Sequence, residues 1–362
     1  MRVSQKAKTL LLIAILVSFT GTAFAFQNMT FSGGFEEWLA WWDINSKPAK
    51  EFGGRLKYTT DVGFITGFST SASYSFTPSF TTGLGLEYLS SFIQDAVSKD
   101  PKLSKVSNAL SAFKGQWVNQ VSGILSIAAV FNYGKLSGIM TAKPDKDVAV
   151  RPSDFEYEWQ KTHNEVWKTF STEWIKGDLL FGPDHALYSS KGVPPLTPIG
   201  GFRYVYYKVP LPWGYLVEGP DVGTQIPPKI LDIQTSTVNA FYLMIGTVDP
   251  VLLLIPPNEK SYLYFDWILL LGKGSLIGDE SNTISSFSWS NDLNAGVRIP
   301  YIGDKVRLVF RFGFHWIYTS YIKSETKILD SSQSNDQYKV QYVAPFLEDN
   351  LYGVNMDLKV FF

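Results

Sequence analysis

Strict alternation of apolar and polar side chains near the carboxyl terminus is the feature that most constrains what this 362-residue chain can fold into. Apolar side chains occupy the even positions, which are Tyr352, Val354, Met356, Leu358, Val360 and Phe362. Most odd positions between them are polar or small, namely Gly353, Asn355, Asp357 and Lys359. Because successive side chains of a β-strand point to opposite faces, this strand has one apolar and one polar face. About ten such residues at a tilt are enough to cross a bilayer.

The same alternation recurs upstream, in residues 305–319 and 285–299. In the first segment the apolar face consists of Val306, Leu308, Phe310, Phe312, Phe314, Trp316 and Tyr318. The other face is dominated by Lys305, Arg307, Arg311, Gly313, His315 and Thr319. In the second segment the polar face carries Ser288, Ser290, Asp292, Asn294 and Arg298. Repeated alternation between turn segments is the sequence pattern of a transmembrane β-barrel.

The amino terminus predicts export from the cytoplasm. Basic residues precede an apolar run at 10–19, and a small-x-small cleavage pattern ends at Ala25. This order is typical of a secretory signal peptide. The apolar run is shorter than the roughly 20 residues that a membrane-spanning helix needs. We therefore expect residues 1–25 to be cleaved and residues 26–362 to form the mature protein.

A final alternating strand that ends on an aromatic residue, here Phe362, resembles the assembly signal of Gram-negative outer-membrane β-barrels. The resemblance covers the last strand. It implies an outer-membrane location, contact with outer-membrane lipid, and recognition of this strand by barrel-assembly machinery. It also implies short periplasmic turns and long outer loops. Aromatic residues make up 15% of the chain, a surplus that girdles at two membrane interfaces would explain.

Tracing this pattern along the chain predicts an all-β fold, a single closed antiparallel transmembrane β-barrel of about fourteen strands, with about twelve to sixteen compatible. The predicted strands are 31–42, 55–76, 80–89, 116–131, 136–141, 154–161, 166–176, 201–209, 213–219, 231–247, 262–271, 285–299, 305–319 and 350–362. Residues 90–115 have helical spacing of apolar residues, and residues 177–200 hold four prolines. We expect both segments to be loops that could fold inward and obstruct the lumen.

Two sets of charges are predicted to face the lumen. One is acidic and consists of Asp154, Glu156 and Glu158; the other is basic and consists of Lys305, Arg307 and Arg311. In a barrel of fourteen strands the two sets would lie opposite each other and create a transverse field that selects polar solutes. The simpler interpretation is pairing with strand neighbours, for instance of Arg307 or Arg311 with Asp357 or Asp292.

These observations favour a porin-like channel for passive diffusion of small polar solutes or ions. The alternatives are a transporter of hydrophobic or aromatic compounds and a non-conducting structural or surface-interaction barrel. A barrel-embedded hydrolase is disfavoured, because the three histidines, His163, His185 and His315, lie in no recognisable catalytic or metal-binding pattern. We expect no enzyme activity, no cofactor and no metal. The chain has no cysteine, its net charge of −1 gives no reason to expect nucleic-acid binding, and we expect a monomer.

Overall fold

The computed structural model of the chain describes residues 28–47, 55–59, 63–96, 106–143, 148–152, 166–184, 196–218, 229–257, 260–278, 283–322, 329–331, 339–343 and 346–362. Twelve long strands occur in these residues: β1 (Met29–Lys47), β3 (Gly63–Thr77), β4 (Phe80–Ala96), β5 (Val106–Val121), β6 (Leu125–Lys143), β8 (Val166–Pro183), β9 (Thr197–Glu218), β10 (Lys229–Val248), β11 (Leu263–Ile277), β12 (Thr283–Ile302), β13 (Arg307–Ile322) and β16 (Phe346–Phe361). Four short strands are β2 (Arg55–Thr59), β7 (Val148–Pro152), β14 (Leu329–Ser331) and β15 (Lys339–Val343). A 3-10 helix covers Pro250–Leu253. Within the same ranges, no helix has the length and apolar character needed to cross a membrane.

The twelve long strands close into an antiparallel barrel. Each pairs with the next long strand along the chain, and β16 pairs back onto β1. That closing pair runs without interruption from Ser32 opposite Phe361 to Lys47 opposite Phe346. Closure gives each of the twelve long strands a partner on both sides, as lipid requires, because an unsatisfied backbone group there costs several kcal/mol. The start of β1 and the end of β16 therefore lie at one end of the barrel, called here the termini end.

The outer face of the barrel is apolar and the inner face carries the charges. On β16, Val354 and Leu358 are 38% and 37% exposed, whereas Asn355 and Asp357 between them are 2% and 4% exposed. The same alternation holds on β12 and β13, as their sequences predict. Exposed apolar side chains on this scale are unusual on a soluble monomer and typical of a surface in contact with lipid.

The first half of the barrel differs from the predicted strands. The described residues form twelve long strands, fewer than the roughly fourteen traced but within the compatible range of about twelve to sixteen. The predicted helical loop at 90–115 is wrong where the structure describes it, because residues 90–96 belong to β4 and residues 106–115 belong to β5, and these two strands pair with each other. Residues 97–105 lie outside the described residues. The hairpin predicted around 132–135 is wrong as well. The turn lies at 122–124, where Gly123 has a φ of 76°, and β6 continues through the predicted loop.

Strand β9 is also continuous where a hairpin was predicted around 210–212. Pro210 and Pro212 stay within the strand, opposite Thr235 and Ile233 of β10. The ladder between β8 and β9 ends at Lys208, before these prolines, so neither has to donate a backbone N–H to it.

The remaining differences concern segment bounds. Residues 177–183, predicted as loop, complete β8. The single strand predicted at 55–76 is described as β2 and β3, both of which pair with β1. The signal peptide at 1–25 and the predicted strand at 154–161 lie outside the described residues.

Replacement of Phe312 tests whether the outer face lies in lipid. Phe312 is 49% exposed, and its neighbours across the two adjacent strands are Val297 and Met356. We expect Phe312→Arg to destabilise the barrel in lipid vesicles by about 2–4 kcal/mol, because the arginine loses its hydration there. Phe312→Leu should cost less than about 1.5 kcal/mol. Urea unfolding in phosphatidylcholine vesicles measures both values, and equal values would place this face outside lipid.

Candidate functional site

The connection between β10 and β11 folds into the barrel at the termini end and forms a plug, defined here as residues 249–257. Leu254 lies against the inner face of β4, where a Cβ on Gly85 would be 3.3 Å from its methyl carbons. The side chain of Gln116 on β5 donates a hydrogen bond of 2.8 Å to the carbonyl oxygen of Leu252. Val251 packs in a buried apolar cluster with Val309 and Phe361. The plug is thus held by strands on several sides of the lumen.

The plug begins at a buried carboxylate. Asp249 accepts a hydrogen bond of 3.0 Å from the backbone N–H of Val251 and so caps the 3-10 helix. Its other oxygen lies 3.1 Å from Nη1 of Arg298, and both side chains are at most 2% exposed. The backbone N–H of Asp249 donates to Asp266. The segment is therefore tied to β11 and β12 by its first residue.

The carboxylate of Asp266 extends this contact into a buried ion network. Arg311 lies 3.2 Å from Asp266 and donates from Nε to Asp357 over 2.6 Å. Its guanidinium also lies 4.8 Å from the ring centre of Tyr264. Buried charges are tolerated only when they are paired and hydrogen-bonded, and this network pairs the charges that are buried at the termini end.

A chamber of about 340 Å³ lies above the plug. Leu252 and Leu253 of the plug contribute to its lining. Two aromatic contacts connect strands that are not neighbours in the barrel: the rings of Trp42 and Trp174 are 5.4 Å apart, and those of Tyr207 and Tyr321 are 5.3 Å apart. These four rings also line the chamber.

Beyond those rings, apolar side chains pack inside the lumen. Four of these side chains are at most 2% exposed: Leu211 and Trp213 on β9, Leu276 on β11 and Leu347 on β16. Indole Nε1 of Trp213 donates to Ser236 over 2.9 Å. In the described part of the chain, the chamber is thus bounded by the plug on one side and by aromatic and apolar packing on the other.

Most charged side chains of the chamber are paired with a neighbour on an adjacent strand. Lys114 lies 3.2 Å from Glu87. Arg203 binds Asp178 through two hydrogen bonds of 2.7 Å. Such pairs fix the charged groups against the wall and satisfy their buried polar atoms.

The histidine of β13 belongs to the chamber as well. Nε2 of His315 lies 2.8 Å from Asp292, and the imidazole stacks on Trp38 with ring centres 4.6 Å apart. Three further charged side chains of the lining, Glu36, Lys176 and Lys359, have no direct hydrogen bond or ion pair within the residues the structure describes.

The structure brings together some of the residues predicted to face the lumen. Arg311, Asp292 and Asp357 all line the chamber, and Arg311 pairs with Asp357 as the strand-neighbour interpretation expected. Arg307 lies nearer the termini end, where its Nη1 is 3.5 Å from the carbonyl oxygen of Pro257 in the plug.

Other predicted site residues lie elsewhere. Lys305 is exposed in the connection at 303–306 and is not on the strand wall. The acidic set Asp154, Glu156 and Glu158 falls outside the described residues, so the transverse field stays a prediction. In the proposed assembly strand, Tyr352 stacks on Trp41 on the outer face, and the backbones of Phe362 and Phe31 exchange two hydrogen bonds.

The plug and the chamber were not predicted. The apolar run at 251–255 between prolines was the available signal, since five apolar residues are unusual in a turn that joins two strands. Gly83 and Gly85 on the inner face of β4, where Leu254 packs, were a second one. The sequence alone does not show that the apolar run packs against these glycines, because that contact depends on the barrel geometry.

No protein family model matches this chain, and no curated protein matches it either. Solved structures that resemble it include the β domain of the Bordetella autotransporter BrkA, at 11% identity and a TM-score of 0.32 over 89% of this chain and 98% of that one. The Pseudomonas putida toluene transporter TodX has 9% identity and a TM-score of 0.31 over 94% and 91% of the two chains. The Escherichia coli outer membrane protease OmpT has 8% identity and a TM-score of 0.34 over 92% and 97%. Because these sequence identities and TM-scores are low, the assignment of a barrel fold rests on the strand pairing of this chain.

Removal of one partner of the Asp249 ion pair tests the role of this pair in holding the plug. We expect Arg298→Met to destabilise the barrel by about 3–5 kcal/mol, because Asp249 is left as an uncompensated buried charge. The control is Lys135→Met, whose pair with Glu173 spans 3.8 Å with side chains 49% and 41% exposed. This control should cost less than about 1 kcal/mol. Urea unfolding in detergent micelles compares them, and a cost for Arg298→Met as small as that of the control would contradict the anchoring role.

Proposed function

We propose that the protein is an outer-membrane β-barrel that transports small amphipathic organic compounds by way of the chamber. The observation that carries this proposal is the chamber itself, whose wall combines indole and phenol rings with charged groups. Ligand sites in proteins are commonly concave, largely apolar and equipped with a few placed polar groups. The chamber of about 340 Å³ is within their usual size range.

The proposal includes an orientation in the membrane. We place the termini end in the periplasm, because the last strand resembles the assembly signal of barrels that end there. The plug then closes the periplasmic end of the lumen, and a compound leaves the chamber when residues 249–257 shift. The proposal includes no catalytic step. One chain contains all residues of the chamber and the plug, so a monomer is sufficient.

Uptake by proteoliposomes tests the proposal. Phenylalanine serves as an amphipathic solute that crosses lipid slowly, and glucose serves as a polar solute without an apolar body. We expect phenylalanine uptake to exceed glucose uptake and to saturate with concentration, since passage goes through a site of limited size. Equal and non-saturating uptake of both solutes would contradict the proposal.

A porin-like diffusion channel for small polar solutes or ions is the second candidate. The density of charged side chains around the chamber favours it, because charged walls favour polar solutes over apolar ones. It is distinguished by steady conductance in planar bilayers and by glucose uptake without saturation. Absence of both solute uptake and conductance would instead favour a structural barrel.

Weakening the plug should accelerate uptake. In the triple variant Leu252→Ser, Leu253→Ser and Leu254→Ser, the plug loses apolar contacts that hold it against the barrel wall, including the contact of Leu254 with the inner face of β4. We expect faster phenylalanine uptake than in the unmodified protein. The control is Ile124→Ser, a turn residue at the same end that is 64% exposed.

The folded fraction of each variant is measured by its gel mobility without heating, and rates are compared per folded barrel. Unchanged uptake by the folded triple variant would show that residues 249–257 do not control passage.

A further inference from the structure

Two carboxylates of the chamber wall face each other without enough positive charge between them. Glu36 on β1 is directly opposite Asp357 on β16 in the antiparallel pairing, and both line the chamber. Side chains in this relation have Cβ atoms about 4.5–5.5 Å apart, and like charges there are destabilising. The register that opposes them is fixed by the whole length of the β1 and β16 pair.

Neither carboxylate is fully satisfied by the protein. Asp357 uses Oδ2 for Arg311, while its Oδ1 is buried and has no hydrogen-bond donor. Its side chain is only 6% exposed. Glu36 has no hydrogen bond or ion pair in the described part of the chain. A buried acceptor without a donor is destabilising, and more so when it is charged.

Of the nearby cations, Lys114 and Arg311 are already paired. Lys114 pairs with Glu87, and Arg311 bridges Asp266 and Asp357. Lys359 lies on the same strand as Asp357 and lines the chamber without a direct partner among the described residues. Counted over the described lining, seven carboxylates accompany five lysines and arginines, together with His315, which pairs with Asp292. Positive charge is therefore in deficit around the chamber.

The groups beside the two carboxylates suit an organic cation. The next inward residue of β1 after Glu36 is Trp38, which lines the chamber and is stacked on His315. Indole rings attract cations and also pack well against apolar groups. Opposite Trp38 on β16 is Asn355, whose Oδ1 is buried and likewise has no donor. An ammonium group has three N–H donors to offer such acceptors.

We infer that the chamber recognises a small organic compound by its ammonium group, which binds between Glu36 and Asp357 while its apolar body packs near Trp38. This inference rests on the proposed function and adds the class of compound to it. The ammonium group supplies the missing positive charge and donates to the unsatisfied oxygens. The chamber of about 340 Å³ accepts a primary amine with an apolar body of about one aromatic ring.

Three probes of nearly equal shape test the inference with the full chain refolded in a non-ionic detergent. They are 2-phenylethylamine, 2-phenylethanol and 3-phenylpropionate, which are cationic, neutral and anionic at pH 7. Isothermal titration calorimetry at constant ionic strength measures each affinity. We expect the amine to bind at least about tenfold more tightly than the alcohol, since hydrogen bonds between charged groups are stronger than those of a neutral hydroxyl. The anion should bind most weakly.

A conservative substitution identifies the group responsible. Glu36→Gln keeps the shape of the side chain and removes its charge, so we expect about tenfold weaker binding of the amine and unchanged binding of the alcohol. The matched control is Glu173→Gln, whose partner is Lys135 and which does not line the chamber. It should leave the affinity for both probes unchanged.

The outcomes separate this inference from the function on which it rests. If the alcohol binds as tightly as the amine, or if Glu36→Gln lowers both affinities equally, the ammonium site is wrong and the chamber stays a binding site. If the anion binds most tightly, the charge preference is the reverse of the one inferred. If none of the probes binds, the proposed function fails together with the inference.

Discussion

Hydrogen bonding between the first and last long strands is the constraint on which the rest of the structure depends. Lipid offers no partners to backbone groups, so a membrane-spanning sheet must satisfy all of them within itself. The unbroken pairing of β1 with β16 does this for the two strands that would otherwise be edges. Once the sheet is closed, the pleat leaves two environments for side chains. Apolar residues such as Phe312 and Leu358 take the outside, and charged residues such as Arg311 and Asp357 face the lumen.

A ring of twelve strands encloses more space than wall side chains fill, since about eight strands already form a filled interior. This chain fills one end with its own backbone, at residues 249–257. The buried pair of Asp249 with Arg298 fixes the start of that segment, and glycine at position 85 leaves space for Leu254. Charges inside the barrel therefore have two uses. Some hold the plug and the strand register, and the others remain to face the chamber.

The sequence predicts the second half of the barrel well and the first half poorly, for a physical reason. In β12, β13 and β16 the lumen face is polar, so alternation between the faces is strong. In β5 the inward positions include Leu110 and Ala112, which join the buried apolar packing inside the lumen, and the contrast between the two faces is lost. The plug depends on contacts between distant segments, such as Gln116 with Leu252, which no local pattern contains.

The charge pairs of the lumen differ in a way that bears on function. Glu87 with Lys114, Asp178 with Arg203, and Arg311 with Asp357 are directly opposed residues of opposite charge, so each pair supports the strand register. Arg298 and Arg311 are opposed and of like charge, but each is paired with a carboxylate. Glu36 opposite Asp357 is the contrasting case, because Arg311 pairs with Asp357 and not with Glu36, and Asp357 Oδ1 is left without a donor. A like-charged pair in a register that the other contacts fix lowers stability, and local conflicts of this kind are expected at functional sites. Because Glu36 and Asp357 lie on the chamber wall, a cation bound in the chamber would reduce the repulsion between them.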